Sequence, residues 1–129
     1  MKRVLIVDDE ATVIRVLRRA LENAGYAVEP ARNGLEALEK IRAQAPDVLV
    51  TDIEMPKMNG QELCQTLHRE QTHRSFPIFV VTSLTAIEHR KWSREIPNLF
   101  FLEKPVSIRR LTARLDEYFQ DRAKAAGHG

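Results

Sequence analysis

Short apolar runs alternate along the chain with longer stretches in which apolar residues recur at every third or fourth position. The runs lie at residues 4–7, 48–51, 78–81 and 99–102, and a shorter one at 26–31 contains Pro30. Unbroken runs of this length are typical of strands that are covered on both faces of a sheet. Because proline cannot donate to a central ladder, the 26–31 strand is predicted to lie near an edge.

The stretches between these runs carry the apolar spacing of amphipathic helices. Helices are predicted over residues 13–24, 35–45, 61–70 and 107–119. Gly25 is a suitable stop for the first of them, and Ser107 is a suitable N-cap for the last. The segment 85–96 offers only three large apolar residues among many charges, so the helix predicted there has a narrow apolar face.

Alternating strand and helix patterns predict right-handed crossovers and a parallel α/β sheet. The 129 residues, 43% of them hydrophobic, suffice for one domain with a full core, predicted over 1–120 with a short frayed tail at 121–129.

No apolar run approaches the length of a membrane span and no signal peptide precedes Val4, so a cytoplasmic protein is expected. A formal net charge of +2 argues against direct nucleic-acid binding. Cys64, the single cysteine, excludes an intramolecular disulfide.

Polar side chains follow the strands at the points where the apolar runs end. Asp8 and Asp9 follow the first run, and Asp52 follows the run at 48–51. Thr82 and Lys104 come after the runs at 78–81 and 99–102. The carboxyl ends of parallel strands share one edge of the sheet, where α/β proteins bind ligands. A single Asp after a strand is usually a helix cap, but the joint occurrence at separate strand ends indicates a common site.

This set of side chains is suited to phosphoryl transfer. Three carboxylates at close range raise one another's pKa unless a cation neutralises them. Oxygen ligands favour a hard divalent ion such as Mg²⁺, which lets an anionic phosphoryl group approach Asp52 as a nucleophile. Lys104 and Thr82 would supply the cation and the hydrogen-bond donor that the transferred group requires. Pro105, next to Lys104, is a candidate for a cis proline that fixes the lysine's loop.

Four motifs resemble those of the receiver domains of two-component response regulators, the CheY-like family. They are Val7-Asp8-Asp9, the segment from Asp52 to Gly60, Val81-Thr82-Ser83 and Leu102-Glu103-Lys104-Pro105. The resemblance runs from about residue 2 to residue 119, nearly the whole chain. It implies a doubly wound, five-stranded parallel sheet of order 2-1-3-4-5 with helices on both faces.

The resemblance also implies a role for each carboxylate of the site. Asp52 would be the phosphoacceptor. Asp8, Asp9, Asp52 and the backbone carbonyl of Glu54 would together hold Mg²⁺ or Mn²⁺. These ligands are all oxygens, as the hard divalent ions prefer.

Further residues would act on the phosphoryl group once it is transferred. By the resemblance, Thr82 is the switch hydroxyl, Lys104 is the amine that contacts the phosphoryl group, and Phe101 is the switch aromatic. Glu54 and Leu84 correspond to positions that flank the path of the hydrolytic water in the family. They would therefore set the lifetime of the phosphorylated state, with Leu84 as a shield and Glu54 as a possible proton acceptor.

The function implied by the resemblance is a phosphorylation-dependent signalling switch and not a turnover enzyme. The phosphoryl group would come from a histidine kinase or a histidine phosphotransfer protein. The resulting change would alter binding of a downstream protein target, or dimerisation, through the face formed by residues 84–120. No membrane contact is expected.

The chain departs from the family pattern at three places. Pro97-Asn98 stands where Gly-Ala is common, and Ser83 replaces the more frequent Ala. The segment 85–96 is unusually charged and carries Trp92, the single tryptophan. None of these changes removes a residue that the phosphorylation chemistry needs.

Two other functions fit parts of the pattern. A small haloacid-dehalogenase-type phosphohydrolase also uses an aspartate nucleophile with Mg²⁺, and Glu54 stands where its second acid would lie. The chain is too short for the cap domain of such an enzyme. A flavin-binding module would need a phosphate-binding loop after the first strand, where Asp8, Asp9 and Glu10 would repel the flavin phosphate.

Overall fold

The computed structural model describes residues 1–71, 74–83 and 91–127, with side chains described as far as residue 123. The strands are β1 (Arg3–Val7), β2 (Ala27–Ala31), β3 (Val48–Asp52), β4 (Ile78–Thr82) and β5 (Leu99–Glu103). The α-helices of the described ranges are α1 (Ala11–Asn23), α2 (Gly34–Ala43), α3 (Gly60–Glu70) and α4 (Ile108–Gly127). Strands and helices alternate as far as β4, as the apolar pattern predicts.

The five strands form one parallel sheet in the order β2-β1-β3-β4-β5. This confirms the predicted doubly wound fold. Strand β2 lies at an edge and contains Pro30, so the position inferred from that proline is also confirmed. The order changes direction between β1 and β3, and the carboxyl ends of these two strands carry the aspartates. A crevice at such a point is where this class of sheet binds its ligands.

Alternate side chains of the strands enter two apolar layers, one on each face of the sheet. On one face, Leu5 and Val80 pack with residues of α2 and α3 in a single buried cluster. On the other face, Ile6 and Phe79 pack with residues of α1 and α4. All residues of β3 and β4 are buried, which makes these central strands a rigid base for Asp52 and Thr82.

Local signals fix the ends of the helices around the site. The side chain of Asn59 accepts a hydrogen bond from Glu62 N, and the Glu62 carboxylate accepts one from Asn59 N, forming a capping box at the start of α3. The side chain of Asn33 accepts a hydrogen bond from Glu36 N at the start of α2. Ser107 Oγ accepts a hydrogen bond from Arg110 N in the first turn of α4, as predicted. Gly25 follows α1 with a φ of +99°, a conformation that favours glycine and ends the helix.

The segment predicted as a helix over 85–96 is described only from residue 91 onward. Residues 91–93 form one turn of 3₁₀-helix, and Ile96 N closes the following turn on Ser93 O at 3.0 Å. Residue 84 and the rest of that predicted helix lie outside the described residues. The turn ends in Pro97-Asn98, where Asn98 has a φ of +57° that asparagine tolerates better than most residues. Asn98 Nδ2 donates to the Tyr118 hydroxyl at 3.1 Å, which ties this turn to α4.

Helix α4 continues to Gly127, beyond residue 120, where the sequence places the end of the domain. The domain boundary itself stays a prediction. Within the described part of the chain, no helix combines the length and apolar character that crossing a bilayer requires.

Cys64 lies on α3 with no exposed surface, and burial raises the pKa of its thiol to about 12.

Candidate functional site

Three carboxylates meet at the carboxyl end of the sheet. Asp8, Asp9 and Asp52 each place one oxygen within 4.8 Å of the others. Asp8 and Asp52 are only 9% and 7% exposed, whereas Asp9 is exposed. The structure therefore brings together the acidic residues that the strand-end argument selects.

Asp52 is held by two donors on the same oxygen. Its Oδ1 accepts from Ile53 N at 2.8 Å and from Lys104 Nζ at 2.9 Å. Among the described residues, no donor is directed at Oδ2. One oxygen of a rigidly placed carboxylate thus remains available to a metal ion or an electrophile.

Charge is unbalanced within this cluster. Burial raises the pKa of Asp8, and the neighbouring charges of Asp52 and Asp9 raise it further. A hydrogen bond from Glu10 N acts in the opposite direction, but the net effect is a raised pKa. Burial by itself lowers the pKa of Lys104. The hydrogen bond and charge of Asp52, together with more distant acids, outweigh burial, so the lysine pKa is raised. One ammonium group therefore faces three acids, and a divalent cation would neutralise the remaining charge.

The loop between β3 and α3 folds tightly back onto the strand. Gly60 N donates to Ile53 O at 2.8 Å, and a Cβ at Gly60 would lie 2.2 Å from the backbone oxygen of Asp52. Gly34 approaches the same loop, since a Cβ there would lie 2.6 Å from Met58 O. Close approach at Gly60 thus sets the position of the Asp52 backbone, and close approach at Gly34 sets the position of the loop at Met58. Sequence reasoning missed this role, although a glycine in the first turn of each helix is the signal that could have found it.

Thr82 and Lys104 end the two strands beside β3. Thr82 is 3% exposed, and its hydroxyl donates a long hydrogen bond of 3.4 Å to Ser83 O. Lys104 N donates to Thr82 O at 2.8 Å, so the two residues are joined through their backbones. The Lys104–Pro105 peptide bond is cis, which confirms the prediction for this loop.

Of the remaining candidate residues, Phe101 and Glu54 lie within the described ranges. Phe101 is on β5 opposite Val80, where it is half-buried and packs against the layer that α2 and α3 cover. Glu54 is exposed in the loop after β3, and its charge is among those that raise the pKa of Lys104. Leu84 lies outside the described residues.

The donor set fits a hard divalent cation. Every candidate side-chain ligand is a carboxylate oxygen, the ligand that Mg²⁺ and Mn²⁺ prefer over nitrogen or sulfur. Such an ion commonly uses one or two carboxylates and completes its shell with water and phosphate oxygens. The arrangement can therefore bind a metal ion and a phosphoryl group side by side next to Asp52.

An apolar groove of about 760 Å³ lies between α1 and the start of α4, and we call it the α1–α4 groove. Its lining includes Val13, Val16, Val106 and Ile108, and Lys104 lies at the end next to the carboxylates. Val16 and Ile108 are 48% and 42% exposed. Sequence reasoning missed this surface, because it is formed only when two helices distant in the chain pack side by side.

Comparison with known proteins identifies the family. The family model described as the response regulator receiver domain matches residues 4–116. Response regulator MprA of Mycobacterium ulcerans is 39% identical over 113 residues, which are 88% of this chain and 48% of that protein. The chain thus spans about half the length of the curated relatives it matches.

Solved structures agree with this result. The chemotaxis protein CheY4 of Vibrio cholerae is 31% identical, with a TM-score of 0.81 over 91% of this chain and 98% of that chain. A CheY-like receiver domain protein of Methanospirillum hungatei is 29% identical, with a TM-score of 0.85 over 97% of this chain and 98% of that one.

The family accounts for the acidic cluster at the end of a parallel sheet, and the phosphohydrolase alternative finds no support in it. Receiver domains signal through phosphorylation and do not turn over a substrate, and the family typically binds Mg²⁺. Their phosphoryl group comes from histidine kinases or phosphotransfer proteins. With a matching fold, a matching family model and an acidic cluster at the expected edge, this chain belongs to the receiver domains of response regulators, the phosphorylation-dependent switches of two-component signalling.

Proposed function

We propose that Asp52 is the phosphoacceptor of this switch and that the donor is the phosphohistidine of a histidine kinase or phosphotransfer protein. The observation that carries the proposal is the position of Asp52. It is nearly buried at the end of a central strand, within 4.8 Å of two other carboxylates and paired with Lys104. The receiver is proposed to span residues 1–120 and to act in the cytoplasm.

In the proposed reaction, a carboxylate oxygen of Asp52 attacks the phosphorus atom and the P–N bond to the donor imidazole breaks. The electron pair of that bond stays on the imidazole nitrogen, so the donor leaves as neutral histidine once it is protonated. Mg²⁺ or Mn²⁺ on Asp8, Asp9, Asp52 and the Glu54 carbonyl would neutralise charge between nucleophile and phosphoryl group. The ammonium group of Lys104 then pairs with a phosphoryl oxygen in place of the carboxylate oxygen it holds now.

The metal assignment predicts a loss of affinity in Asp9→Ala. Asp9 is the exposed member of the cluster, so its removal takes away a charged ligand without leaving a hole in the core. Mg²⁺ affinity should fall by roughly tenfold or more, as for other changes around metal ligands. Titration followed by amide chemical shifts measures this, with Glu10→Ala as the matched control. Unchanged Mg²⁺ affinity in Asp9→Ala would remove that residue from the site.

The α1–α4 groove is proposed as the surface on which the phosphodonor binds. Its walls are largely apolar, its exposed large apolar side chains are Val16 and Ile108, and one end opens beside Lys104 and the carboxylates. A donor helix seated there would bring its phosphohistidine to Asp52 while covering apolar surface that water now contacts.

The prediction is that Val16→Glu slows phosphorylation by a histidine kinase by about tenfold, the effect of losing one well-placed interface contact. Phosphorylation by acetyl phosphate should stay unchanged, because that donor needs no protein interface. Leu35→Glu is the matched control, since Leu35 is 46% exposed on α2, away from the groove. Equal slowing with both donors would indicate damage to the site, and equal slowing in both variants would indicate a general effect of charge.

Transfer to Asp52 is proposed to draw Thr82 toward the phosphoryl group and to let Phe101 move inward behind it. The two conformations form one equilibrium that the phosphoryl group biases. A downstream protein target, or a second copy of the chain in a dimer, would bind the altered face at 84–120. Glu54 and Leu84 are proposed to set the rate of autodephosphorylation, with bulk at position 84 excluding water.

A further inference from the structure

Trp92 lies against the proposed switch aromatic. It is half-buried in the 3₁₀ turn at 91–93 and packs on the layer that contains Ile96 and Val80. Its ring meets that of Phe101 edge to face, with 6.1 Å between centroids and 76° between planes. This is a favourable aromatic geometry. Movement of Phe101 therefore changes the surroundings of Trp92.

The indole of Trp92 carries an unsatisfied donor. Nε1 is fully buried, and it has no hydrogen-bond acceptor among the described residues. A buried N–H without a partner destabilises the conformation that contains it, because the group has lost its hydrogen bond to water. The conformation seen here thus includes a penalty that any movement exposing the indole nitrogen would relieve.

The path from the phosphorylation site to Trp92 runs along one face of the sheet. Side chains alternate between faces, so Thr82 shares its face with Val80, two residues earlier on β4. Val80 is directly opposite Phe101 on β5. Thr82 and Phe101 are therefore diagonal neighbours on the face that Trp92 covers, and Trp92 contacts Phe101 at the end of this path.

We propose that Trp92 is a positioning residue of the switch, which packs against Phe101 in the resting state and moves its indole N–H to an acceptor in the phosphorylated state. The unsatisfied N–H makes the resting state less favourable than it would be with a plain aromatic ring at position 92. Trp92 therefore makes the active state easier to reach. This inference rests on the proposed role of Asp52.

Fluorescence tests the movement directly, because Trp92 is the only tryptophan in the chain. Fluoroberyllate, a mimic of the phosphoryl group, is added with Mg²⁺ to the unphosphorylated protein. The emission maximum should shift to longer wavelength as the indole nitrogen reaches water or another polar partner. Asp52→Asn serves as the control and should show no shift under the same conditions.

The variant Trp92→Phe tests the energetic part of the proposal. Phenylalanine keeps an aromatic ring against Phe101 but has no N–H to leave unsatisfied. The resting state should therefore become more stable relative to the active state. Fluoroberyllate affinity, measured by calorimetry, should fall about fivefold, the factor expected for one buried donor. Tyr26→Phe is the matched control, because it removes a hydroxyl from an aromatic residue on the opposite face, outside residues 84–120. Its fluoroberyllate affinity should equal that of the wild type.

The outcomes separate this inference from the function on which it rests. If fluoroberyllate binds the wild type but leaves the emission unchanged, or if Trp92→Phe binds it as tightly as the wild type, the role of Trp92 is wrong and the role of Asp52 stands. If fluoroberyllate does not bind the wild type at all, both proposals are overturned. A purely structural Trp92 would change the urea midpoint of Trp92→Phe without changing fluoroberyllate affinity.

Discussion

Asp52→Asn is expected to reduce phosphorylation by acetyl phosphate or by a kinase to below detection. An amide oxygen carries no formal charge and is a far weaker nucleophile toward phosphorus than a carboxylate. The change also removes a charged metal ligand and the ion pair with Lys104, while the side chain keeps its shape. The fold should therefore survive while the chemistry is lost.

Mass spectrometry of the wild type should show one acid-stable, base-labile phosphoryl group, which is absent in the variant. Asp47→Asn is a suitable control, since Asp47 is exposed just before β3, at the opposite edge of the sheet. A phosphoryl group that persists in Asp52→Asn would place the acceptor elsewhere. Equal urea midpoints for the wild type and the variant would show that the loss is chemical.

Gly60→Ala should destabilise the protein, although alanine is normally the better residue within a helix. The added Cβ would lie 2.2 Å from Asp52 O and 2.9 Å from Ile53 Cα, so backbone atoms and not a flexible side chain would have to move. Overpacking of this kind costs about 2–3 kcal/mol, which lowers the midpoint of thermal unfolding by roughly 10 °C in a domain of this size. The same displacement would move the phosphoacceptor, so phosphorylation should slow as well.

Gly25→Ala separates this effect from general backbone strain. Gly25 has a φ of +99° but no atom within 4 Å of an added Cβ, so only its conformation opposes the substitution. We expect a loss of stability of about 1 kcal/mol with no change in the phosphorylation rate. Calorimetry measures the stability of both variants, and acetyl phosphate kinetics measure their phosphorylation rates. A Gly60→Ala protein as stable and as active as the wild type would contradict the close approach of Gly60 to Asp52 O.

The sheet and the acidic cluster could be predicted because each depends on short stretches of sequence. An apolar run that ends in Asp8-Asp9 or in Asp52 shows locally both a buried strand and the residue at its end. The parallel order then brings these ends together without further information. Pro105 could also be named as a candidate for a cis peptide bond, because cis bonds occur almost only before proline, and the bond is cis.

Features that depend on packing between distant segments could not be predicted. The contact of Trp92 with Phe101 requires the 91–96 turn to lie on β5, and nothing in either segment indicates the other. The close approach of Gly60 to Asp52 depends on the path of the whole loop between them. The length of α4 was underestimated because its last turns carry small and polar residues with no apolar stripe.

The burial of Cys64 makes the native sequence convenient for site-specific labelling. A thiol with a pKa near 12 and no exposed surface carries almost no thiolate at neutral pH, and maleimide or methanethiosulfonate reagents react with the thiolate. A second cysteine at an exposed position, such as Glu95→Cys on the turn that holds Trp92, would therefore be labelled selectively. Spin or dye probes can thus follow the turn in a chain whose core is left intact.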